Sequence, residues 1–403
     1  MRVKLSLFLF ASLFAGMSSQ LFGTQIPVNC NGKIPLQTFI DFAPPGTTLV
    51  LSGTCPGPIV INRGNLTLES RSGAVIDGQK KDTITVNGAA NVTLGGLDIR
   101  NGINGILANN GAHLTIVNTD VHNNASMGIL LVGNSSAALS GGSTKENAVS
   151  GIDAEGSSAV VISGSYTAEA NRVFGINING ASSLTLTQAD LMVDKNILGI
   201  QIGTSASAFI SDSKTKLTVM KNFTTGLTIV SGAHMVAFGG TISATDNGVH
   251  GVSIDSKAGL DLDAAAVLNS TGNTQDGVHL EETSVLTMFN TAAFSGASGN
   301  TTLNTQNNGG NGVSVLTGSG FTVIHQAALN SVSNTGAGIF VDNGSSVTLI
   351  QTTATGNAAK DLLLTFGSRA DLTSPSDQLP NNIGVIGCDA STLIRGVGIT
   401  CPR

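Results

Sequence analysis

The sequence predicts an all-β solenoid, a coil of short parallel strands in which each turn touches only its neighbours. Three observations predict it. A Gly-[Ile/Leu/Val] step recurs at Gly105, Gly128, Gly151, Gly175, Gly199, Gly226, Gly251, Gly277, Gly312 and Gly338, mostly every 23–27 residues. An Asn stands four residues before nearly every one of these glycines. Finally, runs with helical periodicity are missing through 85–370, while short runs of period two abound.

The Asn column is the strongest signal. It comprises Asn101, Asn124, Asn147, Asn171, Asn222, Asn247, Asn273, Asn308 and Asn334, with Asn196 three residues before its Gly and Asn357 before the Gly-less copy at Asp361. Stacked at one corner, such amides lie at the strand spacing of about 4.8 Å, and each can bond the amide above and below. Asn and Gly also tolerate the backbone angles of a tight corner. The aliphatic residue after each Gly points inward and stacks as core. A second alternation follows about ten residues later, as in HLTIVN (113–118) and SLTLTQ (183–188). Long steps at Gly199–Gly226 and Gly277–Gly312 mark insertions, the larger at 295–310. The repeats and their flanks amount to about 11–13 coils.

A solenoid needs end caps, because open strand edges invite association. In PLQTFIDFA (35–43), Leu36, Phe39, Ile40 and Ala43 fall at helical spacing, and Pro44-Pro45-Gly46 stops the run. A short helix over the first coil is expected there. The four Cys, at 30, 55, 388 and 401, fall in two terminal pairs, and proximity favours Cys30–Cys55 and Cys388–Cys401. Residues 1–23 have a basic start (Arg2, Lys4) and an apolar run (Leu5–Ala15) too short to span a bilayer, the pattern of a cleaved export signal. Export permits disulfides. The expected division is thus 1–23 signal, 24–375 solenoid with its N-terminal cap, and 376–403 C-terminal cap.

Charged residues make up only 11% of the 403 and the net charge is −6, with no basic patch, which argues against nucleic acid as a partner. No transmembrane segment is expected once the signal is removed, and nothing suggests a state other than a monomer.

The run IPLQTFIDFAPPGTTLVLSGTCPGPIVINRGNLTLESRSGAVIDG (34–78), followed by the Asn–Gly repeats, resembles the secreted right-handed parallel β-helix proteins of the pectate-lyase-like superfamily. The likeness covers roughly 34–372 and implies the fold and its right-handedness. That superfamily includes lyases, hydrolases, epimerases, adhesins and scaffolds, so fold alone selects no activity. Its signatures are mostly missing here. Asn118-Thr119-Asp120 matches the first block of the polygalacturonase-like hydrolases, but the Asp-Asp, Gly-His-Gly and Arg-Ile-Lys blocks do not follow, and the Asp-Pro-His-Asp signature of alginate epimerases is absent.

If the residue after each Gly faces inward, the second and fourth residues after it face outward. The second-position row reads Leu107, Leu130, Asp153, Asn177, Gln201, Thr228, Ser253, His279, Ser314, Phe340. The fourth-position row includes Glu155, Asn179, Asp255 and Glu281. Asp153, Glu155, Asn177, Asn179, Gln201 and Ser253 are thus candidate binding residues on a polar strip. Asp255 and Glu281 should lie on adjacent coils about 4.8 Å apart, with His279 beside them. A close carboxylate pair raises one pKa, the basis of acid/base chemistry, and its spacing is near the roughly 5 Å of retaining glycosidases. The same pair could hold Ca²⁺, the one cofactor suggested. His250 and Asp276 stand just before their glycines, and sequence leaves their direction open. Sugar platforms look scarce, with no Trp and one Tyr, and Phe174, Phe223 and Phe340 are expected to stack inward. The outward threonines 115, 185, 322 and 348 are not contiguous, which argues against ice or mineral binding.

The expected function is an exported scaffold that binds extracellular or cell-surface polysaccharide without turning it over. The alternatives are a polysaccharide lyase or glycoside hydrolase acting at Asp255 and Glu281, with a cleft between the strip and the 295–310 insertion, and an adhesin or structural surface protein.

Overall fold

The computed structural model describes residues 23–291, 299–373, 380–396 and 401. The segment expected as an export signal lies almost wholly outside the described residues, as do parts of the stretch expected as an insertion at 295–310 and of the C-terminal segment. The chain winds as an all-β, right-handed parallel solenoid of about 15 turns. Strands gather into a 26-stranded and a 14-stranded sheet. Each coil runs along the larger sheet, bends, continues along it, turns the Asn corner, and crosses the smaller sheet. In the coil 136–158, Ser136–Lys145 lies in the larger sheet and Ser150–Ala154 in the smaller. The count exceeds the Asn–Gly repeats because flanking coils lack that signature: Ile59–Ile61, Ile84–Asn87 and Ile386–Cys388 are smaller-sheet strands without it.

The core follows from the inward rows. Ile106, Ile129, Ile152, Ile176 and Ile200, each following a repeat Gly, are all buried in one stack. A second stack, Ala108, Leu131, Ala154, Ile178 and Ile202, lies two residues on. At about 25 cal/mol per Å² of apolar surface, these stacks are the main driving force for coiling.

The Asn corner is a continuous hydrogen-bonded column. Asn124, Asn147, Asn171, Asn196, Asn222, Asn247, Asn273, Asn308, Asn334 and Asn357 are joined Nδ2–H to Oδ1 at 2.9–3.1 Å. Each Oδ1 also accepts a backbone N–H from the preceding coil, as Asn222 N–H to Asn247 Oδ1 (3.1 Å), and each Nδ2 also reaches a carbonyl, as Asn222 to Val193 O (3.2 Å). The amides are buried and fully partnered. At its end, Asn357 donates to Asp361 Oδ1 (2.9 Å). The residue just before the column Asn takes a left-handed conformation, whatever its identity: φ is 54° at Glu146, 53° at Ala170, 56° at Lys195 and 51° at Lys221. Such strain costs roughly 1–2 kcal/mol for a non-glycine residue, and the column offsets it. The repeat Gly is demanded by close approach. A Cβ on Gly151 would sit 2.6 Å from the Gly175 carbonyl and 2.8 Å from Asn171 Nδ2.

Asn101 is a correction to the sequence reading, for it stands outside the column. Its coil has the three-residue spacing also seen at Asn196, so Gly102 takes the column slot and donates its N–H to Asn124 Oδ1 (2.9 Å). Asn101 instead adopts the left-handed angle (φ 60°) and its amide donates to Asp77 (2.7 Å). The opposite corner carries a shorter column that sequence reading missed. Ser135, Ser158 and Ser182 accept the N–H of the preceding coil at 3.0–3.2 Å.

The N-terminal helix, Leu36–Phe42, buries Leu36 and Ile40 over the first coil. Gln37 blunts the open strand edge there: its Oε1 accepts the Val60 N–H (2.8 Å) and its Nε2 donates to the Val60 carbonyl (2.9 Å). Cys30 is bonded to Cys55 and Cys388 to Cys401. The segment expected as a C-terminal cap carries the last coil, since Arg369–Asp371 pairs in parallel with Leu393–Arg395.

Truncating a central rung strands several buried polar groups, each costing about 1–3 kcal/mol. Asn222→Ala should therefore destabilise the protein by about 3 kcal/mol or more in urea titration, and Asn222→Asp by a similar amount because a carboxylate cannot donate. Asn101→Ala should cost under about 1 kcal/mol. Equal losses at 101 and 222 would contradict the column.

Candidate functional site

Strand register places one outward column along the smaller sheet. Leu107, Leu130, Asp153, Asn177, Gln201, Thr228, Ser253, His279, Ser314, Phe340 and Leu363 are successive partners. A further outward row precedes the glycines, shown by the pairing of Ser150 with Phe174 and of Phe174 with Leu198. His250 and Asp276 belong to it, which answers the direction that sequence left open.

The column holds two polar clusters. In the first, Asn177 Nδ2 donates to both oxygens of Asp153 (3.2 and 3.1 Å) and Ser150 Oγ donates to Oδ2 (3.2 Å). Asn179 and Gln201 donate to Asn177 Oδ1 at 2.7 and 3.3 Å. Asp153 is 2% exposed. Burial pushes its pKa up to about 6; the Asn177 hydrogen bond opposes the rise, the Glu155 charge adds to it, and Ser150 opposes it. Glu155 itself is exposed, and Ser253 lies half-buried between the clusters.

The second cluster gathers His250, Asp276, His279 and Glu281. His279 Nδ1 donates to Asp276 Oδ2 (2.9 Å), and its Nε2 faces Glu281 Oε2 (3.4 Å). Asp276 also accepts the Asn311 backbone N–H at Oδ1 (2.7 Å) and the Ser314 hydroxyl at Oδ2 (2.8 Å). The His250 ring stacks on His279 with centroids 4.4 Å apart. Its Nδ1 accepts the Asp276 N–H (3.3 Å) and lies 3.8 Å from Asp276 Oδ2. Burial pulls the pKa of His250 down to about 4, and the charge of His279 pulls the same way. Burial also opposes charge on His279, but Asp276 and Glu281 outweigh it and raise its pKa. Burial would raise Asp276, yet His279, Asn311 and Ser314 outweigh it and hold the carboxyl down. Asp276 is thus held ionised, and the two carboxylates flanking His279 favour its charged form.

Asp255 stands outside this hydrogen-bonded group. It directly follows the strand Val252–Ile254, paired with Val278–Leu280, but its carboxylate accepts the Ser256 hydroxyl (3.3 Å) while that of Glu281 meets His279. Two corrections concern the surroundings. Phe174 and Phe340 occupy outward rows and Phe223 is 78% exposed, because aliphatic side chains already fill the inner rows at those coils. The stretch expected as an insertion at 295–310 is partly regular coil: Thr301–Gln306 is a larger-sheet strand and Asn308 stands in the amide column, so the added residues fall between Val285–Met288 and Thr301–Gln306. The Asn118-Thr119-Asp120 triplet is structural: Asn118 bends the strand at φ 46°, Thr119 donates to the Val117 carbonyl (3.0 Å), and Asp120 accepts from Ser143 (2.6 Å).

The family model for the right-handed β-helix region matches residues 57–215. No match was found among curated protein sequences. Solved structures similar to this chain include the A-module of Azotobacter vinelandii mannuronan C-5 epimerase AlgE4, at 12% identity over 89% of this chain and 91% of that one, with a TM-score of 0.39. The periplasmic alginate epimerase AlgG is similar at 11% identity, covering 94% and 84%, with a TM-score of 0.42. A polygalacturonase from Erwinia carotovora ssp. carotovora is similar at 12% identity, covering 94% and 96%, with a TM-score of 0.24. By its strand pairing, the chain folds as a right-handed parallel β-helix, and the family-model match lies within that solenoid.

Asp153 makes stability depend on pH. Its carboxyl ionises near 3.8 when unfolded and at about 6 when folded. The folded state thus keeps a proton that the unfolded chain has released, and stability is lost as pH rises through that window, by up to about 3 kcal/mol. Asp153→Asn mimics the protonated form. Its Tm should equal that of the unmodified protein near pH 3.5 and exceed it progressively up to pH 6.5. A difference that does not vary with pH would contradict the assignment.

Proposed function

We propose that this protein is an exported, monomeric, non-catalytic binder of polysaccharide, with the outward column of the smaller sheet as its contact surface. One observation carries the reading. From Gln201 to His279 the column presents a half-buried hydrogen-bonding side chain on each consecutive coil, at the strand spacing of about 4.8 Å. An extended sugar chain laid along the coil axis meets a polar group at each step. Apolar side chains flank it: Leu107 and Leu130 at one end, Phe340 at the other, and Phe174 and Leu198 alongside. Sugars present such a mixture of hydroxyls and apolar ring faces.

Charge narrows the ligand. The outward rows over this span include Glu155, Asp255, Asp276 and Glu281 and contain no Lys or Arg. An uncharged polysaccharide is favoured over a polyuronate, which would be repelled. Work outside the cytoplasm agrees with the two disulfides and the signal-like N-terminus. Among the described residues, no helix is long and apolar enough to cross a membrane.

A catalytic reading is favoured by one feature, the His279 imidazole held between Asp276 and Glu281, whose carboxylates favour its protonated form. A glycan array followed by reducing-end and unsaturated-product assays separates the two. The expected result is retention of neutral glycans without product, weakened about tenfold or more by Gln201→Ala and by Phe340→Ala. Product formation would replace binding with catalysis. Retention of no glycan would remove the polysaccharide reading.

A further inference from the structure

We propose that His250, Asp276 and His279 form a binding site for a divalent transition-metal ion of the zinc class. Among the described residues, they are the grouping of His, Cys, Asp or Glu whose ligand atoms converge, all within 4.8 Å of one another. The proposal goes beyond glycan binding and does not depend on it.

The geometry is that of a site open on one side. Asp276 Oδ2 lies 2.9 Å from His279 Nδ1 and 3.8 Å from His250 Nδ1. A tetrahedral ion with N/O donors at about 2.0–2.1 Å sets neighbouring donors about 3.4 Å apart, between those two values. Ring stacking turns both Nδ1 edges toward the same carboxylate oxygen. Two imidazoles and one carboxylate suit Zn²⁺, Co²⁺ or Ni²⁺, whereas Ca²⁺ wants six to eight oxygens.

The surroundings complete the case. A metal on His279 Nδ1 displaces the proton now shared with Asp276, and Nε2–H then donates to Glu281 Oε2, 3.4 Å away. A carboxylate behind a ligating imidazole fixes its tautomer and raises its basicity. Asn311 N–H holds Asp276 through Oδ1, the oxygen the metal does not use. His250 Nδ1 now accepts the Asp276 N–H at 3.3 Å, a long contact that the ion would replace. Three protein ligands leave at least one coordination position for water or a hydroxyl of a bound molecule, on the floor of the outward column.

The test uses the untagged chain, stripped with EDTA and titrated with ZnCl₂ by calorimetry and with CoCl₂ by visible absorbance. One ion per chain is expected, with intense low-coordinate Co²⁺ bands and no response to CaCl₂. His279→Ala and His250→Ala should each weaken binding by about tenfold to a hundredfold or more. His250→Gln leaves an acceptor for the Asp276 N–H, so its coil is preserved, and it should weaken binding likewise. His234→Ala, in an exposed pair with Asp261 on the larger sheet, should leave binding unchanged. No stoichiometric uptake, or uptake that survives both His250→Gln and His279→Ala, would overturn the proposal. Repeating the glycan array in EDTA separates the two readings, because glycan retention without metal leaves the binding surface standing on its own.

Discussion

The buried amide column sets the corner geometry of the coils it runs through, from Asn124 to Asn357. An Asn side chain within the column is satisfied by an identical amide one strand spacing away on the next coil, a role that Asp361 takes at the column's end. It must also have a backbone N–H and a carbonyl within reach. That demand fixes the coil pitch, the left-handed residue before each Asn and the bare Gly after it. Glu146, Ala170, Lys195 and Lys221 accept an unfavourable backbone angle for this reason. A residue with a Cβ at the Gly would collide with the very amide that the column needs. Asn and Gly return together because each makes room for the other.

This constraint is short-range in sequence and periodic, and so the fold could be read from the chain. Position within a repeat defines inward and outward with period two, and the inner rows of Ile, Leu and Val agree. Reading failed where spacing slipped by one residue. Asn101 and Asn196 flank the same kind of shortened corner, but Asn101 falls one place before the slot and Asn196 falls in it. The Ser column at the opposite corner was overlooked because Ser is common, although a left-handed Gly stands two residues before each of its members, at Gly133, Gly156 and Gly180. His250 and Asp276 were missed as partners because the repeat Gly interrupts the simple alternation. The row before the Gly faces outward as well, and only the pairing of Ser150, Phe174 and Leu198 reveals it. The phenylalanines were misjudged from scarcity: few aromatics suggested economical use in the core, yet β-branched and aliphatic residues fill the inner stacks without them.

The column on the smaller sheet inherits its order from the corner beside it. Once the amides fix the coil pitch, outward side chains also stack at that pitch, and like residues would meet like. Carboxylates stacked this way would repel, so their neighbours matter. Asp153 lies against Asn177, and Asp276 against His279, Asn311 and Ser314. Ionisable groups along the column are separated by amides and hydroxyls at Gln201, Thr228 and Ser253.

Two buried carboxylates on one sheet face nevertheless end in opposite states. Asp153 receives neutral donors only, through one amide and one hydroxyl, with Glu155 nearby, and burial wins: its proton is held up to about pH 6. Asp276 receives an imidazolium, a backbone N–H and a hydroxyl, and these outweigh burial and keep it ionised. The deciding quantity is the number and charge of donors, since both side chains are largely withdrawn from water. A carboxylate that stays charged in such a place favours positive charge beside it, and here it raises the pKa of His279. The stacked His250 is left neutral by burial first and by His279 second, and its Nδ1 accepts the Asp276 N–H beside the shared oxygen. One charged oxygen, one neutral imidazole and one imidazole holding a removable proton make a cation-exchange site, and its position on the outer face follows from the pitch that the buried amides impose.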